Sequence, residues 1–384
     1  MSCRSPLQHP RRAGARSRTA AAAPLAWDQE GGAQVAGAVR EIYGEEFEGA
    51  RGFLNSATYG LPSRRQLGVL RERLARWESG EMSGAEFDEP VAASRAAFAS
   101  LAGVPVATVA MGGSVSALVG LVAASVPDGA RVATLPGEFT SVTAPFTTQA
   151  ARGVSVTTLA PGDLEARAGE FDVVAASLVQ SADGRVLDTG RLRSAVRDRD
   201  TLVLLDVTQA MGWMDLDVAW ADAVVGGSYK WLLAPRGAAW MALSGALAGQ
   251  TVPHAAGWYS GPDPWSQIYT FPALLAPDAR RFDTSPAWFT VLGAAVSMPW
   301  LAGLEMAAVE QHCVGLANQV RAAAGMEPSN SSIVALHAPG LADRLAGHGV
   351  RAAVRAGSVR VSFHLYTTQE DADALVEVLD RLAD

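Results

Sequence analysis

The chain has 384 residues, 49% hydrophobic and 18% charged, with 31 Lys+Arg against 39 Asp+Glu and a net charge of −8. That is enough chain for one large domain plus a smaller one; its negative charge disfavours nucleic acid as a partner, and no apolar run reaches the roughly 18–20 residues of a membrane span. Cys3 and Cys313 form neither a metal-ligand spacing nor a disulfide framework, which fits a reducing cytoplasm, and the six histidines include no i, i+4 pair, which disfavours a metal hydrolase.

The opening stretch "MSCRSPLQHPRRAGARSRTAAAAP" carries Arg4, Arg11, Arg12, Arg16 and Arg18, no acid and no apolar signal core. Residues 1–25 read as a disordered Arg-rich extension and 26–50 as a segment packing on a small C-terminal domain. From about residue 100, short apolar runs alternate with helical stretches: "ATVAMGG", "RVATLP", "VSVTTL", "DVVAASLV", "TLVLLDV", "ADAVVGGS" and "GAAWMAL". Most lack polar alternation, so they predict strands buried on both faces of a mostly parallel sheet flanked by helices, an α/β architecture spanning 51–285. Past residue 250 the chain turns rich in Pro, Gly and aromatics. A long helix is expected at roughly 288–324, and 286–384 reads as a small α+β domain with helices near 340–347 and 368–382.

Three strand ends carry polar groups, where an open α/β sheet binds ligands. In "MGGSVSAL", Gly112, Gly113 and Ser114 suit close approach of an anion to a helix N-terminus, or simply a turn. In "LLDVTQAMGW", Asp206 closes an apolar strand and needs a partner, such as a protonated ring nitrogen or the N-terminus of the next helix. In "VVGGSYKWLLAPRG" stands Lys230, the only lysine of the chain, flanked by Ser228 and Tyr229. Every other basic residue is arginine, so position 230 either is an exposed remnant or needs what a guanidinium cannot do: lose its proton and attack a carbonyl, as in a Schiff base with pyridoxal phosphate.

"DVTQAMG" followed by "SYKW…PRG" resembles the class V branch of the fold-type I pyridoxal-phosphate (PLP) enzymes, which includes cysteine desulfurases, aminotransferases, isopenicillin epimerase and kynureninase; the likeness covers roughly residues 50–384. The resemblance implies PLP on Lys230, Asp206 at the pyridine nitrogen, Gln209 at the ring hydroxyl, and Gly113 and Ser114 at the phosphate. It implies Phe139 of "PGEFTS" stacked on the ring, with a plain core aromatic as the alternative. "SYK" and "GWYS" are similar to kynureninase segments, which implies phosphate contacts from Tyr229 and, across a homodimer with shared sites, from Trp258; Ser228 joins the cofactor set. "VRVSFHLYTTQEDADALVEVL" resembles the C-terminal signature in which an arginine grips the substrate carboxylate, here Arg360, with Arg355 as second choice or a solvated strand-end charge. Asn55 and Thr58 of "FLNSATYGLPS" are substrate-side candidates, or a turn.

The chain departs from the desulfurases in having no Cys in 330–360, which disfavours a persulfide route, and from kynureninase in having Gln209 in place of a common His. Gly227 stands where desulfurases often have Ser, and Gln180 and Ser181 are the polar members of a short loop. The implied activity is that of a PLP-dependent aminotransferase acting at the α-carbon of an amino acid. A β-lyase, a kynureninase-like hydrolase, an epimerase, or a catalytically silent binding protein on the same fold remain open. No metal, nucleic acid or membrane partner is expected, and the site is expected in the cytoplasm.

Overall fold

The computed structural model describes residues 39–383. The arginine-rich extension and most of 26–50 lie outside them. The chain enters through a short antiparallel pair, β1 (Arg40–Ile42) and β2 (Glu45–Phe47). A seven-stranded sheet follows: β3 (Val109–Gly112), β4 (Arg131–Thr134), β5 (Ser155–Thr158), β6 (Val173–Ser177), β7 (Leu202–Asp206), β8 (Ala223–Gly227) and β9 (Ala239–Leu243). A three-stranded sheet closes the chain with β10 (Ile333–Leu336), β11 (Ala353–Arg355) and β12 (Ser358–Ser362). The helices are α1 (Arg64–Glu78), α2 (Asp88–Ala102), α3 (Val115–Ser125), α4 (Thr140–Thr147), α5 (Asp163–Arg167), α6 (Thr189–Val196), α7 (Gly245–Gln250), α8 (Pro264–Gln267), α9 (Trp288–Ala302), α10 (Met306–Ala323), α11 (Leu341–Gly347) and α12 (Gln369–Ala383).

The large sheet runs β3-β9-β8-β7-β6-β4-β5. It is parallel except for β9, antiparallel to both neighbours. Its alternate residues divide between two cores. Val174, Ala176, Val203, Leu205, Val224 and Trp240 face one side with Phe98 of α2 and Val291 of α9. Val173, Ala175, Leu204, Ala223, Val225 and Met241 face the other with Leu118 and Val122 of α3 and Phe146 of α4. A strand covered on both faces has no polar position to show, which is why these runs read as unbroken apolar stretches. β5 differs from the sequence expectation: it is an edge strand, with Ser155, Thr157 and Thr158 exposed.

The long helix expected over 288–324 is two helices, α9 and α10, bent by 93°. Pro299 inside α9 supplies no N–H, and Gly303 N bonds back to Pro299 O and Trp300 O, tightening the last turn. Glu305 is then extended and starts the next helix. No single helix among the described residues is long and apolar enough to cross a membrane.

Two polar anchors hold the frame. Arg40 pairs with Asp371 of α12 and donates to Tyr366 O at 3.1 Å, while Gly52 N donates to Asp371 Oδ1 at 2.7 Å. In the core, Arg95 of α2 grips Asp283 bidentately, Nη1 to Oδ1 at 3.1 Å and Nη2 to Oδ2 at 2.6 Å, and Met111 N donates to Oδ1 at 2.8 Å. Both side chains are buried. Arg95→Ala leaves the Asp283 charge in the core without its partner, so we expect a loss of about 3–5 kcal/mol in denaturant unfolding, against a much smaller loss for the double variant Arg95→Met/Asp283→Leu.

Candidate active site

The C-terminal ends of β7 and β8 deliver the two central groups. Asp206 ends β7 in register with Val225 of β8; five residues beyond Val225 the chain presents Lys230. Both are nearly inaccessible, at 4% and 5% exposure, and both line one cleft with about 670 Å³ of free space. The lysine sits in a turn closed by Leu233 N to Lys230 O at 3.2 Å and Ala234 N to Ser228 O at 3.1 Å. The opening segment seals this turn from outside, with Gly60 N donating to Tyr229 O at 2.9 Å. A Cβ at Gly60 would lie 2.0 Å from Lys230 O, so no larger residue fits without moving the lysine turn. Gly212 plays the same part beneath Trp231, where a Cβ would meet Trp231 O at 2.3 Å.

Burial sets the charges. It pushes the Lys230 ammonium down to about 8, helped by Arg360, Arg236 and Arg355, although Asp206 pulls it back up. Burial pushes the Asp206 carboxyl up to about 6, opposed by its hydrogen bonds to Thr208 and by Lys230. Thr208 N donates to Asp206 Oδ1 at 2.7 Å. The ring of Phe139 has its centroid 5.2 Å from Lys230 Nζ, and that of Tyr229 lies 5.7 Å away. Gly113 and Ser114 form the rim at the start of α3, where Ser114 Oγ caps Ala117 N at 3.2 Å.

Arg360 enters from β12, 2% exposed. Its Nη1 donates to Ser181 O and to Ser181 Oγ, the latter at 3.1 Å, and its Nη2 to Thr58 Oγ1 at 2.8 Å. Its Nε is buried with no partner. All its acceptors among the described residues are neutral, so no carboxylate there compensates the guanidinium charge, and burial together with Arg355 pushes it down to about 10.

The structure thus brings Gly113, Ser114, Phe139, Asp206, Gln209, Tyr229 and Lys230 to one cleft, with Arg360 joined to it through Ser181. Three expected residues stand elsewhere. The Ser228 hydroxyl donates to Pro235 O at 2.6 Å and shapes the turn rather than the cleft. Trp258 packs against Tyr259 and Trp265, each ring centroid 5.1 Å away, and does not line its own chain's cleft. Asn55 bridges to Ser362 of β12 and is also absent from the cleft wall. Gln209 reaches the cleft with its amide already engaged: Nε2 donates to Ala57 O at 3.0 Å and Ser181 Oγ at 2.9 Å, and Oε1 accepts from Trp231 Nε1 at 2.8 Å. A ring hydroxyl would have to compete with Ser181 for its hydrogens.

Sequence reasoning missed Thr208, Glu138 and Arg236. Glu138 ties β6 to the approach to α4: Oε1 accepts from Ser177 Oγ and Phe139 N, both at 2.6 Å, and Oε2 from Ser177 N at 2.7 Å and Gln180 Nε2 at 2.9 Å. It thereby fixes the backbone of Phe139. Arg236 lies with Cζ 4.9 Å from the centroid of Tyr229. Its only signal was the Pro-Arg-Gly following the lysine.

Behind the lysine turn, His364 Nδ1 accepts from Leu365 N at 2.8 Å, which leaves Nε2 to donate to Trp231 O at 3.0 Å. The ring is therefore neutral, and burial pushes it down to about 3. The unfolded chain binds a proton here near the ordinary histidine range while the folded chain does not, so stability is lost as pH falls from about 6.5. His364→Gln should remove one proton from the acid-side slope of unfolding free energy against pH.

The Aminotransferase class-V family profile matches residues 158–327, which hold both strand ends and the lysine turn. That stretch, a little under half of the chain, is similar to class V aminotransferases. Curated relatives include the uncharacterized aminotransferase YcbU of Bacillus subtilis (strain 168), 27% identical over 208 residues, covering 50% of this chain and 55% of the relative. Isopenicillin N epimerase of Amycolatopsis lactamdurans is 29% identical over 239 residues, covering 54% and 59%. The chain thus spans a little over half the length of the curated relatives it matches. Among solved structures, the fold is shared with the cysteine desulfurase CsdA of Escherichia coli (TM-score 0.73, 18% identity, 87% of this chain and 95% of that one). It is shared equally with a C-DES mutant carrying glycine covalently linked to the PLP cofactor (TM-score 0.73, 18% identity, 87% and 96%). Cys313 is buried in α10, and burial pushes its thiol up, away from thiolate chemistry.

The groups present suit pyridoxal 5′-phosphate. Asp206 is a buried carboxylate with room for a cationic partner, Lys230 an amine that loses its proton at moderate pH, Phe139 an aromatic face over that amine, and the start of α3 an anion-attracting terminus.

Proposed function

We propose that this protein is a pyridoxal 5′-phosphate enzyme acting at the α-carbon of an amino acid, an aminotransferase in reaction type. The observation that carries this reading is the enclosure of Lys230 and Asp206 in one cleft from adjacent strand ends. Pyridoxal phosphate, when bound, supplies an electron-withdrawing ring that stabilises negative charge at the α-carbon. Lys230 Nζ would be the point of attachment and the base that moves the α-proton; its depressed pKa makes the neutral amine available near pH 8. Asp206 would keep a proton at the ring nitrogen by charge, the α3 terminus with Ser114 would take the phosphate, and Phe139 would lie against the ring. Arg360 holds the substrate carboxylate, which supplies the negative partner its buried guanidinium lacks.

The reading includes a homodimer in the cytoplasm, with Trp258 serving the neighbouring subunit's phosphate. It is supported by the kynureninase-like "GWYS" and by Trp258 not lining its own chain's cleft. β-Elimination is a second reading, favoured by the fold shared with C-DES, which is described as a cystine C-S lyase. Turnover of an amino acid by the holoenzyme separates the two. Dependence on an added keto acid is expected; stoichiometric ammonia and pyruvate without one would replace transamination by elimination.

The free amine offers an independent check. Lys230 is the only lysine, so acylation of the cofactor-free chain followed by peptide mapping reports on it alone. The rate should rise through an inflection near about 8, and Asp206→Asn, which removes the charge that favours the ammonium, should move the inflection lower.

A further inference from the structure

The face of the small sheet that carries Arg360 carries a second cation. In the antiparallel register of β11 and β12, Ala353 stands opposite Arg360 and Arg355 opposite Ser358. Residues two apart on a strand share a face, so Arg355 and Arg360 project from the same side of the sheet as diagonal neighbours. The two residues between Arg355 and Ser358, Ala356 and Gly357, both have positive φ, +48° and +81°. That is the tight two-residue hairpin turn whose twist matches the strands, and here it places an alanine where Asn or Gly is the comfortable choice. The turn is short and fixes Arg355 relative to Arg360. Ser358, on the same face, shares a hydrogen bond of 2.7 Å with His337 Nε2.

Arg355 is exposed, and its only hydrogen bond among the described residues is to the carbonyl of its own neighbour, Val354 O, at 2.8 Å. No carboxylate among the described residues pairs with it. Its charge is nevertheless felt in the cleft, where it lowers both Lys230 and Arg360. Arg360 itself is buried with Nε unpartnered. One face of one hairpin therefore presents an inner guanidinium poised for a carboxylate and an outer one free for a second anion a few bonds further along the same molecule.

We propose that Arg355 is a specificity-determining residue that takes the side-chain anion of an acidic amino acid whose α-carboxylate is held by Arg360, an assignment that rests on the amino-acid reading above. The substrate class is an amino acid with a second carboxylate or comparable anionic group. His337 and Ser358 supply polar contacts beside it. The test uses the holoenzyme's absorbance band and pairs of ligands that differ only in side-chain charge: glutamate against glutamine, and aspartate against asparagine. In the wild type at least one acid should perturb the band at about tenfold or more lower concentration than its amide, the scale of one charge-assisted contact. In Arg355→Gln that ratio should fall toward one through weaker binding of the acid. Equal response to acid and amide, preference for the amide, no response to any of the four, or a variant that weakens acid and amide alike would each overturn the proposal. A wild type without any cofactor band after loading would instead overturn the functional reading beneath it.

Discussion

Lys230→Ala should abolish turnover, by about a thousandfold or more, because the same side chain is attachment point and proton carrier. It should also remove the absorbance band expected at about 400–430 nm for the bound cofactor. The variant removes a buried, partly neutral amine and leaves the turn's backbone bonds from Leu233, Ala234 and Gly60 in place, so it should fold. Arginine is the informative second replacement: it keeps charge and length yet cannot lose its proton, and it should be as inactive as alanine. A catalytically competent Lys230→Arg would show that position 230 provides charge only, and the assignment would fail.

Asp206→Asn should lower kcat by about a hundred- to a thousandfold, the scale of losing one preorganised electrostatic partner in a water-poor site. The amide matches the carboxylate in shape and can still accept from Thr208 N, so folding is expected to survive. Cofactor affinity should fall less than rate, because phosphate and ring contacts are untouched. The carboxyl is pushed up to about 6 by burial. Below that pH the cofactor-free chain holds the group neutral, so cofactor loading should weaken as pH falls through about 6. An Asp206→Asn enzyme with near wild-type kcat would mean that no charge is needed at that edge of the ring.

The parts of this site legible in the sequence were those where composition itself was anomalous. A single lysine among arginines, an acid ending a wholly apolar strand and a Gly-Gly-Ser at a strand–helix junction each stand out without knowledge of the fold. The alternating division of β6, β7 and β8 between two cores explains why their runs read cleanly as strands. What was hidden depended on where side chains aim once a turn is formed. Ser228 and Tyr229 are adjacent, yet one bonds the turn's own carbonyl and the other lines the cleft. Gln209 reaches the right place with its amide consumed by Trp231, Ala57 and Ser181, partners distant in sequence. Glu138 read as an unremarkable loop acid because its four donors come from its own neighbour, from the end of β6 39 residues on and from Gln180 42 residues on. The break between α9 and α10 was masked because α9 is apolar on nearly every face and runs on into the apolar positions of α10, with only Pro299 and Gly303 as breakers.

The segment from Gly52 to Gly60 threads all of these pieces. Leu54 N bonds Arg351 O, Leu54 O accepts from Ser362 N on β12, Thr58 supports the guanidinium of Arg360, and Gly60 is wedged against the carbonyl of Lys230. One short span of nine residues therefore splints both cations, touching the Arg360 guanidinium through Thr58 and the lysine turn through Gly60.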